Sequence, residues 1–171
     1  MATLYGARVF QENSKDSNIR YDVIGDNSEV LAIGDPVYIN STNELDIYTG
    51  TVAILGVAVK SQTLASDNET VAKVRPGFIP AADTIFLMGT NSDLTNNATD
   101  VGKFYKLTGA TGAVQVDVSA GVTTGNARIV QIVRVDPREV GGTGAGSGLR
   151  EVLVRFVKVQ TRPNTFNTNF D

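Results

Sequence analysis

Apolar and polar residues follow one another along much of this chain in the short alternating runs typical of β-strands. Val114, Val116 and Val118 alternate with small or polar residues, and Leu45 and Ile47 show the same alternation. Successive side chains of a strand point to opposite faces, so this pattern predicts strands with one buried face. Turn residues separate the runs, as in β-sandwiches and barrels. The sequence therefore predicts an all-β fold, an antiparallel β-barrel or sandwich.

Two further stretches, 129–133 and 152–157, are apolar on both faces. Strands of this composition are covered on both sides. An opposing sheet would cover one face. The other face would be covered by another lobe, another subunit or a terminal arm.

A pattern of strands occurs twice along the chain. Each copy has a glycine turn, a short strand with an aromatic residue, a longer apolar strand, and a third strand with a basic residue near its end. The first copy comprises 34–39, 54–60 and 70–75, and the second comprises 102–107, 128–133 and 151–156. Self-similarity of this kind indicates two similar β units, here 33–75 and 102–157. A chance similarity is the alternative, because β-rich segments draw on few residue types.

The two ends of the chain lack a strand pattern. We expect an N-terminal arm at 1–30, a β domain at 31–160 and a C-terminal tail at 161–171. The tail places two phenylalanines in polar surroundings, which favours an arm that docks on a neighbour; a frayed end is the alternative. The candidate interaction residues of the arm and the tail are Tyr5, Arg8, Phe10, Phe166 and Phe170.

The composition removes most catalytic chemistry. The chain has no cysteine and no histidine, so Ser-His-Asp and Cys-His catalysis and Cys- or His-ligated metal sites are excluded. Carboxylate, lysine and tyrosine chemistry remains open in principle, including a carboxylate-held divalent cation. We expect a protein that is not an enzyme and that has no cofactor, no metal and no catalytic residue.

The net charge and the hydropathy of the chain limit the classes of partner that we expect. Fifteen basic and eighteen acidic residues give a net charge of -3, and the basic residues are spread along the chain. This distribution does not favour nucleic-acid binding. No run of eighteen apolar residues and no signal-peptide pattern is present, so we expect no membrane partner and synthesis in the cytoplasm.

The glycine-rich run 141–148 does not have the pattern of a phosphate-binding loop. Such a loop ends in a lysine and a hydroxyl residue that enter a helix, whereas here Leu149 and Arg150 lead into an apolar strand. A flexible hairpin loop is the better interpretation.

The segment 33–39, followed by 54–59 and 71–74, resembles the β-barrel head decoration (cement) proteins of tailed bacteriophages. Those sequences often have a glycine–aspartate turn, a short strand, an isoleucine-glycine-valine-alanine strand and a valine-rich strand. Here the turn is Gly34-Asp35 and the longer strand has the sequence Ile-Leu-Gly-Val-Ala-Val. The resemblance covers about residues 33–75, and residues 102–157 more loosely.

The resemblance implies a structural virion protein that binds the outer surface of a phage capsid and stabilises the head. Its partners would be the major capsid protein and sister subunits in a homotrimer, and it would be made in the host cytoplasm. The alternatives are a phage tail or fibre module, or another surface-binding β module without catalysis.

Overall fold

A computed structural model describes the larger part of the chain as strands and short connections. The described residues are 6–12, 24–25, 30–41, 44–48, 50, 52–63, 77–82, 84–92, 94, 100–119, 125–135 and 151–160. The strands are β1 (Arg8–Glu12), β2 (Ile24–Gly25), β3 (Val30–Leu31), β4 (Pro36–Ile39), β5 (Glu44–Ile47), β6 (Gly56–Ala58), β7 (Gln62–Thr63), β8 (Phe78–Pro80), β9 (Thr84–Gly89), β10 (Phe104–Thr108), β11 (Gln115–Asp117), β12 (Val130–Val135) and β13 (Glu151–Phe156), with a 3₁₀ helix at Gly125–Ala127. The predicted all-β fold is confirmed.

The strands form two main sheets and one small pair. The six-stranded sheet has the order β1-β9-β13-β12-β10-β11, the five-stranded sheet has the order β2-β5-β4-β6-β8, and β3 pairs with β7. Neighbours are antiparallel except β2 and β5. The larger sheet curls until its far strand meets β9: Thr90 forms a parallel bridge with Val116, whose carbonyl oxygen accepts the Asn91 amide at 3.0 Å. This is the barrel-like part of the fold.

One four-strand unit occurs in both sheets. The order β5-β4-β6-β8, the first unit, recurs as β11-β10-β12-β13, the second unit. The register is also the same, because Val57 lies opposite Pro36 and Ile79 in the first unit as Gln131 lies opposite Phe104 and Arg155 in the second. The shared order and register make these two similar four-strand units.

The backbone hydrogen bonds repeat as well. In the first unit they run from Gly34 to Ala58, from Asp35 to Ala32, from Leu55 to Val37, from Ala58 to Asp35 and from Ala81 to Leu55. In the second unit they run from Gly102 to Ile132, from Lys103 to Asp100, from Ile129 to Tyr105, from Ile132 to Lys103 and from Val157 to Ile129. Each matched bond joins the same strand positions, so the two units share their backbone hydrogen bonds as well as their strand order.

The third strand of the first unit differs from the predicted one. β8, at Phe78–Pro80, pairs with β6 as β13 pairs with β12, so it holds the place that the sequence pattern gave to 70–75. The segment 70–75 lies outside the described residues. β8 is the edge strand of its sheet, and an edge position accommodates Pro80, which has no N–H to give to a ladder.

Each unit has its own core, and the second core extends into the first unit. The first core contains Leu31, Val37, Ile39, Leu45, Ile47, Leu55, Ala58 and Phe78. The second is larger and centres on Phe86, whose ring meets that of Phe156 edge to face at 5.3 Å. It also includes Val57 of β6, and Ile79 of β8 packs against it. The first-unit sheet therefore packs on both faces at β6 and β8, where the second unit covers Val57 and Ile79.

The described part of the predicted N-terminal arm lies in this assembly. β1 pairs with β9 at the edge of the six-stranded sheet. Just before it, the Gly6 amide donates to the Val114 carbonyl at 3.0 Å and the Ala7 amide donates to the Gly34 carbonyl at 2.7 Å. Residues 6–7 thus join the second unit to the first. The other residues of the predicted arm up to Glu29, apart from β2, and the whole tail at 161–171 lie outside the described residues.

Candidate interaction surface

Two matched turns lead into the first strands of the two units. In residues 32–35 the Asp35 amide donates to the Ala32 carbonyl at 3.1 Å, and in residues 100–103 the corresponding bond measures 3.2 Å. The third residue of each turn is a glycine, with φ of 89° at Gly34 and 86° at Gly102. A left-handed glycine at this position is the requirement of a type II turn. The second position then lies at the tip.

The tip of each turn carries an apolar side chain that faces solvent. Ile33 is 65% exposed in the first unit, and Val101 is 46% exposed in the second. The Ile33 amide donates to Ser61 Oγ at 2.9 Å, which holds the first tip in place. The turn tips, Ile33 and Val101, are therefore equivalent positions with the same chemistry on a defined backbone.

Behind the first tip lies a buried carboxylate. Asp35 has no exposed surface, and its two oxygens accept the Ala32 amide at 2.9 Å and the Gly112 amide at 2.8 Å. Burial raises the pKa of the Asp35 carboxyl above its ordinary value, although both hydrogen bonds act in the opposite direction. Because Gly112 belongs to the loop between β10 and β11, this carboxylate joins the first turn to the second unit.

Behind the second tip lies an ion pair. Lys103 Nζ contacts Asp100 Oδ1 at 2.9 Å, and the Tyr105 hydroxyl donates to the same oxygen at 3.2 Å. Burial, together with the charge of Asp100, raises the pKa of the Tyr105 hydroxyl to about 12. Asp100 and Lys103 take the places of Ala32 and Asp35, so these two turn positions differ in charge between the units.

A groove of about 790 Å³ lies beside the second tip, on the outer face of the second unit. Its lining residues are Ala82, Thr84, Ile85, Val101, Gly102, Gln131, Ile132, Val133, Arg155, Phe156, Val157 and Val159. Val133 sits at a register shift in β12 and is 36% exposed. A β-bulge turns side chains away from the regular pleat and often lies beside a functional site. The groove thus combines exposed valines with a polar pair.

That polar pair holds the outer face of the second unit together. Arg155 Nε donates to Gln131 Oε1 at 2.7 Å, and Gln131 Nε2 donates to the Gly102 carbonyl at 2.8 Å. The same positions in the first unit are Ile79 and Val57, which pack on the second core. Arg155 and Val133 are exposed in the described part of the chain. The covering of this face by another subunit or a terminal arm stays a prediction.

The structure places two of the sequence-predicted interaction residues and leaves the others outside its description. Arg8 and Phe10 belong to β1, where Arg8 pairs with Leu87. Tyr5, Phe166 and Phe170 lie outside the described residues, as does the glycine-rich run 141–148. The arm, tail and loop therefore stay predictions.

Sequence reasoning missed the turn tips. The available signal was an apolar β-branched residue directly before the turn glycine in both copies of the pattern, Ile33-Gly34 and Val101-Gly102. A residue of this kind looks like the end of a strand in sequence. Only the fold shows that its side chain points into solvent.

The comparisons with known proteins give no family for this chain. A scan against protein-family models found no match, and a search of curated proteins found none either. Among the described residues, no group of three or more acidic, histidine or cysteine side chains is arranged to hold a metal ion. The described part of the chain also contains no helix with the length and apolar character needed to span a bilayer.

Proposed function

We propose that this chain is a structural virion protein that binds the outer surface of a tailed-phage capsid and stabilises the head. The observation that carries the proposal is the doubled unit. The segment that resembles decoration proteins spans the turn at Gly34, β4 and β6, and the chain builds the same turn and strand pair again at Gly102, β10 and β12. The resemblance thus falls on the element that recurs in both main sheets of the described structure.

The polar groups of the described core support a binding role rather than a chemical one. Asp35 bonds two backbone amides, and Asp100 bonds Lys103 and Tyr105. Asp117 accepts hydrogen bonds from the side chains of Asn91 and Ser119 near the point where β11 meets β9. These carboxylates hold turns and strand ends in place.

In the proposed role the protein acts by mass action. A protein that binds the assembled shell but not separated subunits stabilises the shell by the free energy of its binding. Several weak contacts made at once by a homotrimer would give a high overall affinity. The proposal needs only the major capsid protein and sister copies of this chain as partners, and it places the protein on the virion exterior.

Heads assembled without this protein provide the test. Purified protein is mixed with heads from a phage whose copy of this gene is deleted, the heads are sedimented, and bound protein is counted per capsid subunit. We expect saturable, stoichiometric binding at micromolar protein and a higher temperature of head disruption. Tails from the same phage are the control fraction. Absence of binding to heads would overturn the proposal, and binding to tails alone would assign the chain to the tail.

A further inference from the structure

We propose that the two turn tips, Ile33 and Val101, are equivalent contact points for a partner that presents one apolar site repeatedly, an array of identical protein subunits. The inference rests on the proposed function, in which that array is the capsid surface. The turn tips are then the part of the chain that contacts the capsid.

The turns differ wherever their surroundings differ. The first and fourth residues are Ala32 and Asp35 in the first turn and Asp100 and Lys103 in the second. The carboxylate therefore lies at the end of the first turn and at the start of the second. The glycines are the same because the backbone needs a left-handed residue there. The tips are also alike, yet no buried core requires an apolar side chain at an exposed position.

A third turn of the same kind shows that the geometry accepts a polar tip. In residues 110–113 the Ala113 amide donates to the Ala110 carbonyl at 2.8 Å, and Gly112 has φ of 73°. Its second position is Thr111, which is exposed. Turn chemistry therefore does not explain Ile33 and Val101, whereas contact with an apolar site does.

Each tip has an apolar neighbourhood that a partner can cover. Val30, 53% exposed, is close to Ile33 along the chain, and Val133 lines the same groove as Val101. The hydrogen bonds of each turn fix the tip before binding, so little conformational entropy is lost on contact. The groove offers about 790 Å³ beside the second tip for a side chain of the partner.

A chain with two equivalent contacts fits a partner that carries the same binding site many times. A single exposed valine or isoleucine buries little area and binds weakly. When one partner surface engages both contacts at once, the second forms at a high effective concentration, so the overall affinity exceeds that of either contact. A surface built from many copies of one subunit supplies the second site.

The test uses the variants Ile33→Asp and Val101→Asp, singly and together, in the head-binding assay. Each variant places a charge at a solvent-exposed tip, so circular dichroism and the melting temperature should match those of the wild type. Thr111→Asp is the matched control, because it makes the same change at the tip of the third turn. We expect each single variant to weaken binding about tenfold and the double variant about a hundredfold, with wild-type binding by the control.

The outcomes separate the inference from the proposed function. If the wild type binds heads and the double variant binds equally well, the turn tips are not the contacts and only the inference falls. If one tip matters and the other does not, the equivalence of the two contacts is overturned. If Thr111→Asp weakens binding as much as the tip variants, charge alone explains the loss and the inference fails. If the wild type does not bind heads, the proposed function and this inference fall together.

Discussion

The first and second units share one backbone plan and differ in what covers it. In the first unit, Val57 and Ile79 project from the outer face of the sheet and pack on the core of the second unit. In the second unit, Gln131 and Arg155 hold the same positions and bond to each other beside an open groove. The strand order and register are set by features common to both units. The outward-facing residues are set by the neighbour that each unit has.

This difference shows how a duplicated unit can form a single molecule. Two identical units would each expose the apolar face that Val57 presents, and such a face promotes association. Here one copy of the face is buried between the units, and the other carries a polar pair. Backbone hydrogen bonds also join the two units. The Ile54 amide donates to the Lys158 carbonyl, and the Gln160 amide donates to the Ile54 carbonyl, which makes a parallel bridge between Ile54 and Val159. Gln131 and Arg155 lie on the outer face of the second unit, the face that no further unit covers in the described structure.

Exchange of the residues at this position should have the largest effect on stability. Val57 is buried between the units, so Val57→Gln would place an amide there without a partner and remove apolar contacts. We expect a loss of about 3 kcal/mol in the free energy of unfolding, measured by urea denaturation. The matched change Gln131→Val, on the open face, removes the hydrogen bonds to Arg155 and to the Gly102 carbonyl but leaves these groups in contact with water, so it should cost only about 1 kcal/mol. Equal costs for the two variants would contradict the assignment of one face as buried and the other as open.

The two turn glycines should differ in how much stability is lost when each is replaced by alanine. A Cβ on Gly34 would lie 3.0 Å from Gly6 and from the Ala7 backbone, whereas a Cβ on Gly102 would meet nothing within 4 Å. Both glycines have positive φ. Gly102→Ala should therefore cost only the backbone strain, about 1 kcal/mol. Gly34→Ala should cost about 2–3 kcal/mol, because close contact with backbone atoms is added.

Thermal and urea unfolding of both glycine variants would measure this difference. The variants carry the same substitution at the same turn position, so the difference isolates the packing of residues 6–7 against the first unit. If Gly102→Ala costs as much as Gly34→Ala, strain in the turn accounts for the whole effect. The proposed joining role of residues 6–7 would then be wrong.

The sequence predicted the parts of the fold that depend on local pattern. Alternation predicted β5 and β11, and the apolar run at 151–156 predicted β13, because in each case one face of the strand packs in a core. β8 was missed since the valine-rich run at 70–75 has the stronger strand pattern. β8 is short and contains Pro80, and only pairing with β6 makes it a strand. Pairing between strands that are distant in the sequence is tertiary information, which a local pattern does not contain.

The candidate surface could be predicted less well than the fold. Exposure of Ile33 and Val101 depends on what packs beside each turn, and two-residue signals before glycine are common in β proteins. The difference between Val57 and Gln131 is visible in sequence only after the repeat is aligned in the right register. That alignment requires the hydrogen bonds that the structure supplies.

The carboxylate that joins the two units gives a further prediction. Asp35→Asn keeps the shape but leaves one oxygen acceptor for two amides, at Ala32 and Gly112, so one N–H loses its partner. We expect a loss of about 1–2 kcal/mol in the free energy of unfolding near neutral pH.

The pH dependence follows from the raised pKa of Asp35, whose ordinary value is 3.8. Because the folded protein holds this proton more tightly than the unfolded chain, the stability of the wild type falls as pH rises from 3.8 through the folded pKa, and this contribution is level above it. Asparagine does not titrate, so the difference in unfolding free energy between wild type and Asp35→Asn should grow as pH falls toward 3.8. Urea denaturation of both proteins across this range measures the difference, and parallel pH profiles would show that burial does not raise the pKa of Asp35 in the folded protein.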